Sequence, residues 1–245
     1  MSWFDDDDLW IALAPTLRGP EALDAAEAEV DALIALAKLT PGARVLDMGS
    51  GPGRYALPLA RRGFDVTCVD RTPSYLTHVA AAARRMNVEV EVVRRDMRDF
   101  RRPEAYDVAL CIDAFGVFDD EDDDILTLRN LNASIVGGGS LVLSTACQES
   151  TLIGTERKDW QWLRPGVLLL QEQNIEEDGS RLHTKLSIVE TGRIRKFNQH
   201  HRLYAGSEVR RMTEQVGFSS VSLLGGLNGQ PLHPSPRRLV AVAQR

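Results

Sequence analysis

The chain has only three cysteines in 245 residues, Cys68, Cys111 and Cys147, and no two of them stand at C-x-x-C spacing. That scarcity argues against a zinc site or a disulfide framework, and the three read as buried, reduced thiols of a cytoplasmic protein. No apolar run reaches the roughly 18 residues of a membrane span. The N-terminus lacks the basic-then-apolar order of a secretory leader and carries aspartates at 5–8 instead. The cytoplasm is therefore the expected compartment, without membrane association. Basic residues are not in excess: 29 Lys and Arg stand against 35 Asp and Glu, a net charge of −6. A mildly acidic chain has no long-range attraction for phosphate backbones, so nucleic acid is not the expected partner. Seven arginines fall within residues 84–102, but Glu89, Glu91, Asp96 and Asp99 are interleaved among them, as on a solvated mixed-charge surface.

Metal and triad signatures are missing too. The acidic run 119–124 lacks the Asp-x-Asp-x-Asp-Gly alternation and distant Glu of a calcium loop. Acids at a helix start interact favourably with the macrodipole, which explains both this run and the aspartates at 5–8.

What remains is an alternation of short apolar runs and helical patterns. Strands are expected at 44–47, 64–70, 88–93, 106–112 and 140–145, with helices at about 20–39, 54–62, 72–86 and 125–136. Such alternation implies α/β architecture with a doubly wound, mostly parallel sheet. The pattern changes after 150. Residues 167–176, 181–190 and 193–203 are β-rich and separated by Asp178-Gly179 and Thr191-Gly192, which predicts a three-stranded antiparallel insertion within 151–204. A helix at 207–216 and strands at 220–224 and 239–243, joined by a loop to Pro236, would complete a seven-stranded sheet. The whole is expected to be one domain, 1–245. Its N-terminal helices (1–39) and the insertion are expected to cover the site where a substrate is received.

The most informative stretch is Val45-Leu46-Asp47-Met48-Gly49-Ser50-Gly51-Pro52-Gly53-Arg54. An apolar strand stops at an acid and enters a turn with glycines at alternate positions, which lets the backbone take φ > 0 and approach a ligand closely. A second strand ends at Asp70, and an acid about twenty residues beyond such a turn can accept hydrogen bonds from ribose hydroxyls. A dinucleotide site wants G-x-G-x-x-G, whereas here position 54 is Arg. A third strand is followed by Asp96-Met97.

Asp-x-Gly-x-Gly-x-Gly, with acids at the next two strand ends, resembles motif I and its partners in class I S-adenosylmethionine-dependent methyltransferases, over roughly residues 40–145. The resemblance implies S-adenosylmethionine as cofactor and a Rossmann-like sheet. It implies that the loop of Gly49, Gly51 and Gly53 wraps the methionine part, with Asp47 orienting either the loop or the cofactor's amino group. Asp70 would accept the ribose hydroxyls, Asp96 the adenine amino group, and the Met97 amide would face a ring nitrogen. Arg71 and Ile112 complete the expected cofactor contacts. Arg54 is either a partner for the cofactor carboxylate or a surface arginine.

Methyl transfer from a sulfonium needs positioning and water exclusion more than acid–base machinery, which fits the absence of a triad. Neighbouring strand residues face opposite sides, so one of His200 and His201 at most can face a pocket. His201 and Tyr204 are the candidate catalytic residues. Trp160 and Trp162 either wall an acceptor pocket or pack beneath the hairpins. There is no Asn-Pro-Pro-Tyr-type motif after the fourth strand, where Ile112-Asp113-Ala114-Phe115 stands, and no Pro-Cys pair. The expected acceptor is therefore a small molecule or short peptide, with an amine preferred over a hydroxyl. A softer resemblance to bacterial amino-sugar, natural-product and peptide N-terminal methyltransferases points the same way. A non-catalytic binder of the same nucleoside is the alternative, and monomer and homodimer both stay open.

Overall fold

The computed structural model describes residues 2–18, 20–153, 157–233 and 238–245. Two sheets organise it. The larger has seven strands in the order β10-β11-β5-β4-β1-β2-β3. Its elements are β1 (Arg44–Met48), β2 (Asp65–Asp70), β3 (Glu91–Arg94), β4 (Tyr106–Ile112), β5 (Ile135–Thr145), β10 (Ser219–Leu224) and β11 (Leu239–Gln244). β1 pairs in parallel with β2 and β4, while β11 lies antiparallel between β5 and β10. Helices α2 (Pro20–Leu36), α3 (Ala56–Arg61) and α4 (Pro73–Met86) belong to one face, and α5 (Glu121–Ser134) and α7 (Gly206–Gln215) to the other. Burial on both faces explains why β1 and β4 read as unbroken apolar runs.

The inserted sheet has four strands rather than the expected three: β6 (Arg157–Arg164), β7 (Val167–Ile175), β8 (Arg181–Glu190) and β9 (Arg193–Arg202), paired antiparallel in chain order. β6 was expected to be loop-like. It is an edge strand whose two tryptophans share a face with Lys158 and whose other face, with Asp159 and Gln161, offers only Leu163 to the core, so it lacks the usual signature. Its Trp160 and Trp162 are each 61% exposed, and neither walls a pocket nor packs beneath the hairpins. The short α6 (Gln148–Ile153) precedes this sheet, and a 3-10 turn (Trp3–Asp5) and α1 (Asp7–Arg18) open the chain. Their Trp3, Phe4, Leu9 and Ala12 pack with Val117, Phe118 and the inner face of the small sheet.

Two more boundaries differ from expectation. β5 starts at Ile135, five residues early, because Gly137-Gly138-Gly139 forms an irregularity inside the strand rather than a turn before it. A Cβ on Gly139 would lie 2.5 Å from the Asp107 carbonyl oxygen, so a side chain there would block the strand. β3 covers only Glu91–Arg94. The expected loop to Pro236 includes residues 234–237, which lie outside the described residues. The three cysteines are free and buried. No helix among the described residues is long and apolar enough to cross a membrane.

Candidate active site

At the carboxyl edge of the large sheet, β1 is flanked by β2 and β4, whose connections leave in opposite directions. This is the switch point where open α/β sheets hold ligands. A cavity of about 220 Å³ opens there.

Its floor is the glycine turn. The N–H groups of Gly49 and Ser50 both donate to the Val69 carbonyl, at 2.8 and 3.1 Å, which folds the chain over the end of β2. Gly49, Gly51 and Gly53 have φ of 69°, 53° and 83°. Their roles differ. A Cβ on Gly49 would meet that of Ala114 at 2.5 Å, whereas one on Gly53 would strike Val79 of α4 at 2.9 Å. Gly49 and Gly51 line the cavity; Gly53 does not, and serves helix packing. That corrects its expected place at the cofactor.

Asp70 ties the turn to β2. Its Oδ2 accepts the Gly51 N–H and its Oδ1 the Thr72 N–H, both at 2.8 Å. Burial pushes its pKa up, against the pull of these bonds. The Thr72 hydroxyl and the Arg71 N–H also bear on this carboxylate, which lines the cavity. Asp47 is 2% exposed, with the Ala56 N–H on one oxygen and no partner for Oδ2. Burial first and the nearby Asp70 second push its pKa up to about 7. An unpartnered buried carboxylate oxygen beside an open cavity suits a cationic ligand group such as an ammonium.

Asp96 lines the cavity with Met97 and Ile112. Burial works to raise the Asp96 pKa, but Arg98 outweighs it and the net shift is downward. Arg98 donates its backbone N–H and Nε to Oδ1 and Nη2 to Oδ2. Arg54 and Arg71 also border the cavity, yet both guanidinium groups are engaged within the protein. Arg54 pairs with Glu29 at 2.6 Å, and Glu29 also receives Tyr55 and Arg238, whose other arm reaches Asp113 at 2.7 Å. Arg71 donates to the Phe4 carbonyl and the Asp5 carboxylate, which fastens the N-terminal turn over the site.

The opposite wall is apolar and aromatic: Phe4, Trp10, Val117 and Phe118, with Gln199 and His201 from β9. Trp10 donates to the Phe4 carbonyl, and the Tyr75 hydroxyl to the Trp10 carbonyl at 2.6 Å. Strand alternation sends His201 to the cavity, where its ring lies 4.8 Å from that of Trp3, and turns His200 toward Asp119 at 3.0 Å. Burial and the neighbouring His200 lower the His201 pKa to about 4, so the ring is neutral near pH 7. Tyr204 is not at the cavity. It is 1% exposed in the core and its hydroxyl donates to the buried Asp124 at 2.7 Å, which removes it from the catalytic candidates.

The cover by N-terminal elements was expected, but Arg238 and Gln199 escaped identification from sequence because each reaches the site through a contact far along the chain.

The site residues fit S-adenosylmethionine: a glycine cradle that a Cβ would fill, acids at two strand ends, and an orphaned carboxylate oxygen at Asp47. Residues 45–139 match a family model described as "Methyltransferase domain". The ubiquinone biosynthesis O-methyltransferase of Rickettsia akari is 31% identical over 101 residues, covering 41% of this chain and 39% of that protein. The chain thus spans about two-fifths of the length of the curated relatives it matches. Among solved structures, the CcbJ methyltransferase of Streptomyces caelestis aligns at a TM-score of 0.77 with 22% identity, over 90% of this chain and 88% of that one. CalS10, an amino pentose methyltransferase from Micromonospora echinaspora, aligns at 0.69 with 22% identity over 95% of both. At that identity these two show the fold alone.

Proposed function

We propose that the chain, whose residues 45–139 match a methyltransferase domain, transfers a methyl group from S-adenosylmethionine to an amine, or secondarily a hydroxyl, of a small molecule or short peptide. The observation that supports this best is the cavity itself. Gly49, Gly51, Asp70 and Asp96 lie on one side, and aromatic walls with a neutral His201 face them.

Asp70 would accept the ribose hydroxyls, and Asp96, held by Arg98, would receive the adenine amino group. Asp47 would receive the cofactor's ammonium. The bound cofactor supplies an electrophilic methyl on a sulfonium. The protein's part is to position the acceptor, exclude water and take a proton. His201 is suited to that last task because it is neutral and faces the cavity. An amine is preferred because, once deprotonated, it attacks with no further help. The N-terminal helices (1–39) and the insertion (151–204) form the acceptor-side cover, and their aromatic residues suit an acceptor with an apolar body. A cytoplasmic setting and a role in natural-product biosynthesis fit this reading.

Calorimetry with S-adenosylmethionine and with its demethylated product comes first, then mass spectrometry on amine and hydroxyl panels. The expected results are cofactor uptake and a product heavier by one or more methyl groups. His201→Ala should lower turnover by about 10²–10⁴-fold with cofactor affinity unchanged. No cofactor uptake refutes the proposal, and uptake with no product from either panel favours a non-catalytic binder.

A further inference from the structure

The inner face of the four-stranded sheet changes character along its strands. Where it meets the N-terminal turn it is apolar, with Val167, Leu169, Leu186 and Ile188 buried and Phe197 packed against them. Further along β9 the face turns polar. Gln199 stands opposite Thr184, and Thr184 opposite Gln173. Thr184 is buried, and Gln173 and Gln199 are half-buried. Alternation puts Gln199 and His201 on the same face of β9, and both line the cavity.

Among the described residues neither the Gln199 carboxamide nor the His201 ring has a hydrogen-bond partner. A carboxamide offers one carbonyl acceptor and two N–H donors. A ligand that displaces solvent from such a group without replacing its hydrogen bonds binds weakly. The cofactor makes no demand on Gln199. In the methyl-transfer reading its ammonium, ribose and adenine go to Asp47, Asp70 and Asp96, while Gln199 stands on the facing wall with Phe4, Val117 and Phe118.

That leaves the acceptor as the partner of Gln199, and the strand sets the spacing. Same-face neighbours on a strand lie about 7 Å apart, so a group held by Gln199 is well removed from a nitrogen placed at His201. The chemistry of the group follows from the amide. A carboxylate would face its carbonyl and an ammonium its N–H groups, each an unfavourable meeting, and a hydrocarbon would leave both unmet. A hydroxyl or a secondary amide donates and accepts, and satisfies both.

We propose, on the basis of the methyl-transfer reading above, that Gln199 selects the acceptor: an amine with an uncharged hydroxyl or amide group about 7 Å from its nitrogen. The Gln199 carboxamide binds that group while His201 faces the nitrogen, and the aromatic wall covers the body between them.

The test uses the full chain loaded with S-adenosylhomocysteine and titrated by calorimetry with two matched pairs. Tyramine and phenethylamine differ only in a hydroxyl far from the amine. Alanyl-alaninamide and alanyl-alanine methyl ester differ in the distal N–H groups. At least one polar member should bind at least about tenfold more tightly than its partner, and the pair that shows it tells hydroxyl from amide. Turnover with S-adenosylmethionine should follow the same order in kcat/KM. Gln199→Leu should erase the preference, raising KM for the polar member about 10–100-fold with kcat nearly unchanged and the apolar member unweakened. A merely structural role would instead weaken both members alike. Three results overturn the proposal: no polar member that binds more tightly to the parent, a preference that survives Gln199→Leu, or a variant that weakens both members equally. The parent comparison decides alone should the variant fail to fold. Cofactor uptake with no methylated product refutes the methyl-transfer reading instead, and the affinities still decide the role of Gln199.

Discussion

Replacing Asp47 with asparagine separates what the buried carboxyl does for the empty protein from what it does for the ligand. In the folded chain its pKa is about 7 against an ordinary 3.8, first from burial and then from Asp70. The folded state therefore holds a proton that the unfolded chain gives up earlier. Stability is greatest below about pH 4, declines as pH rises toward 7, and levels off above that. The gap of about three pH units corresponds to a decline on the order of 4 kcal/mol. Asp70, also raised, adds in the same direction. Asparagine stays neutral throughout and keeps an acceptor for the Ala56 N–H. The Asp47→Asn protein should thus resemble the parent at pH 5 and be more stable at pH 8. For a chain of this size the gap in Tm should be on the order of 10 °C at the upper end. Cofactor affinity should move oppositely, because the variant cannot offer a charge to an ammonium. In the parent, calorimetry near pH 6.5 in buffers of unlike ionisation enthalpy should show proton release on binding, and the variant should show less. If parent and variant share one Tm-against-pH curve, Asp47 is not the group that holds the proton.

Three further outcomes follow from the same geometry. Asp70→Ala should weaken cofactor binding at least about tenfold, since it removes a charged acceptor and frees the Gly51 and Thr72 N–H groups; an unchanged calorimetric affinity would count against it. Tyr204→Phe should cost about 1–3 kcal/mol, seen in urea melts, because the buried Asp124 loses one of its two hydrogen-bond donors. Methyl transfer by folded Tyr204→Phe should be unaltered, and a selective loss of turnover would return Tyr204 to the chemistry. Gly49→Ala should lose both stability and cofactor affinity, as its Cβ would meet Ala114 at 2.5 Å with φ at 69°. Wild-type thermal melting of that variant would show that the turn relaxes freely.

Much of this was legible in the chain because its strongest signals are local. β1, β2 and β4 are buried on both faces, so apolar runs ending in Asp47, Asp70 and Ile112 mark strand ends without reference to anything distant. The alternation at 199–201 limited the pocket to one histidine, though only the register against β8 decides that it is His201. The edge strand β6 was hidden because all its described side chains except Leu163 are exposed, leaving Arg and Lys beside its tryptophans. Tyr204 sits beside the site in sequence, but its hydroxyl goes to Asp124, eighty residues earlier. The acids at 121–124 open α5 as expected of helix-start charges, yet several have individual partners that no dipole argument identifies. Arg98 takes Asp123 and Arg211 takes Glu121. The bridge from Arg238 to Glu29 spans most of the chain and has no local trace.

β11 is the last strand in sequence, yet it lies between β5 and β10. During synthesis, β5 keeps an unpaired edge for about a hundred residues, until Leu239–Gln244 emerges to occupy it. The nascent protein therefore carries an open sheet border while more than a third of these residues are made, and completion of the sheet waits on pairings of high sequence separation, which form slowly.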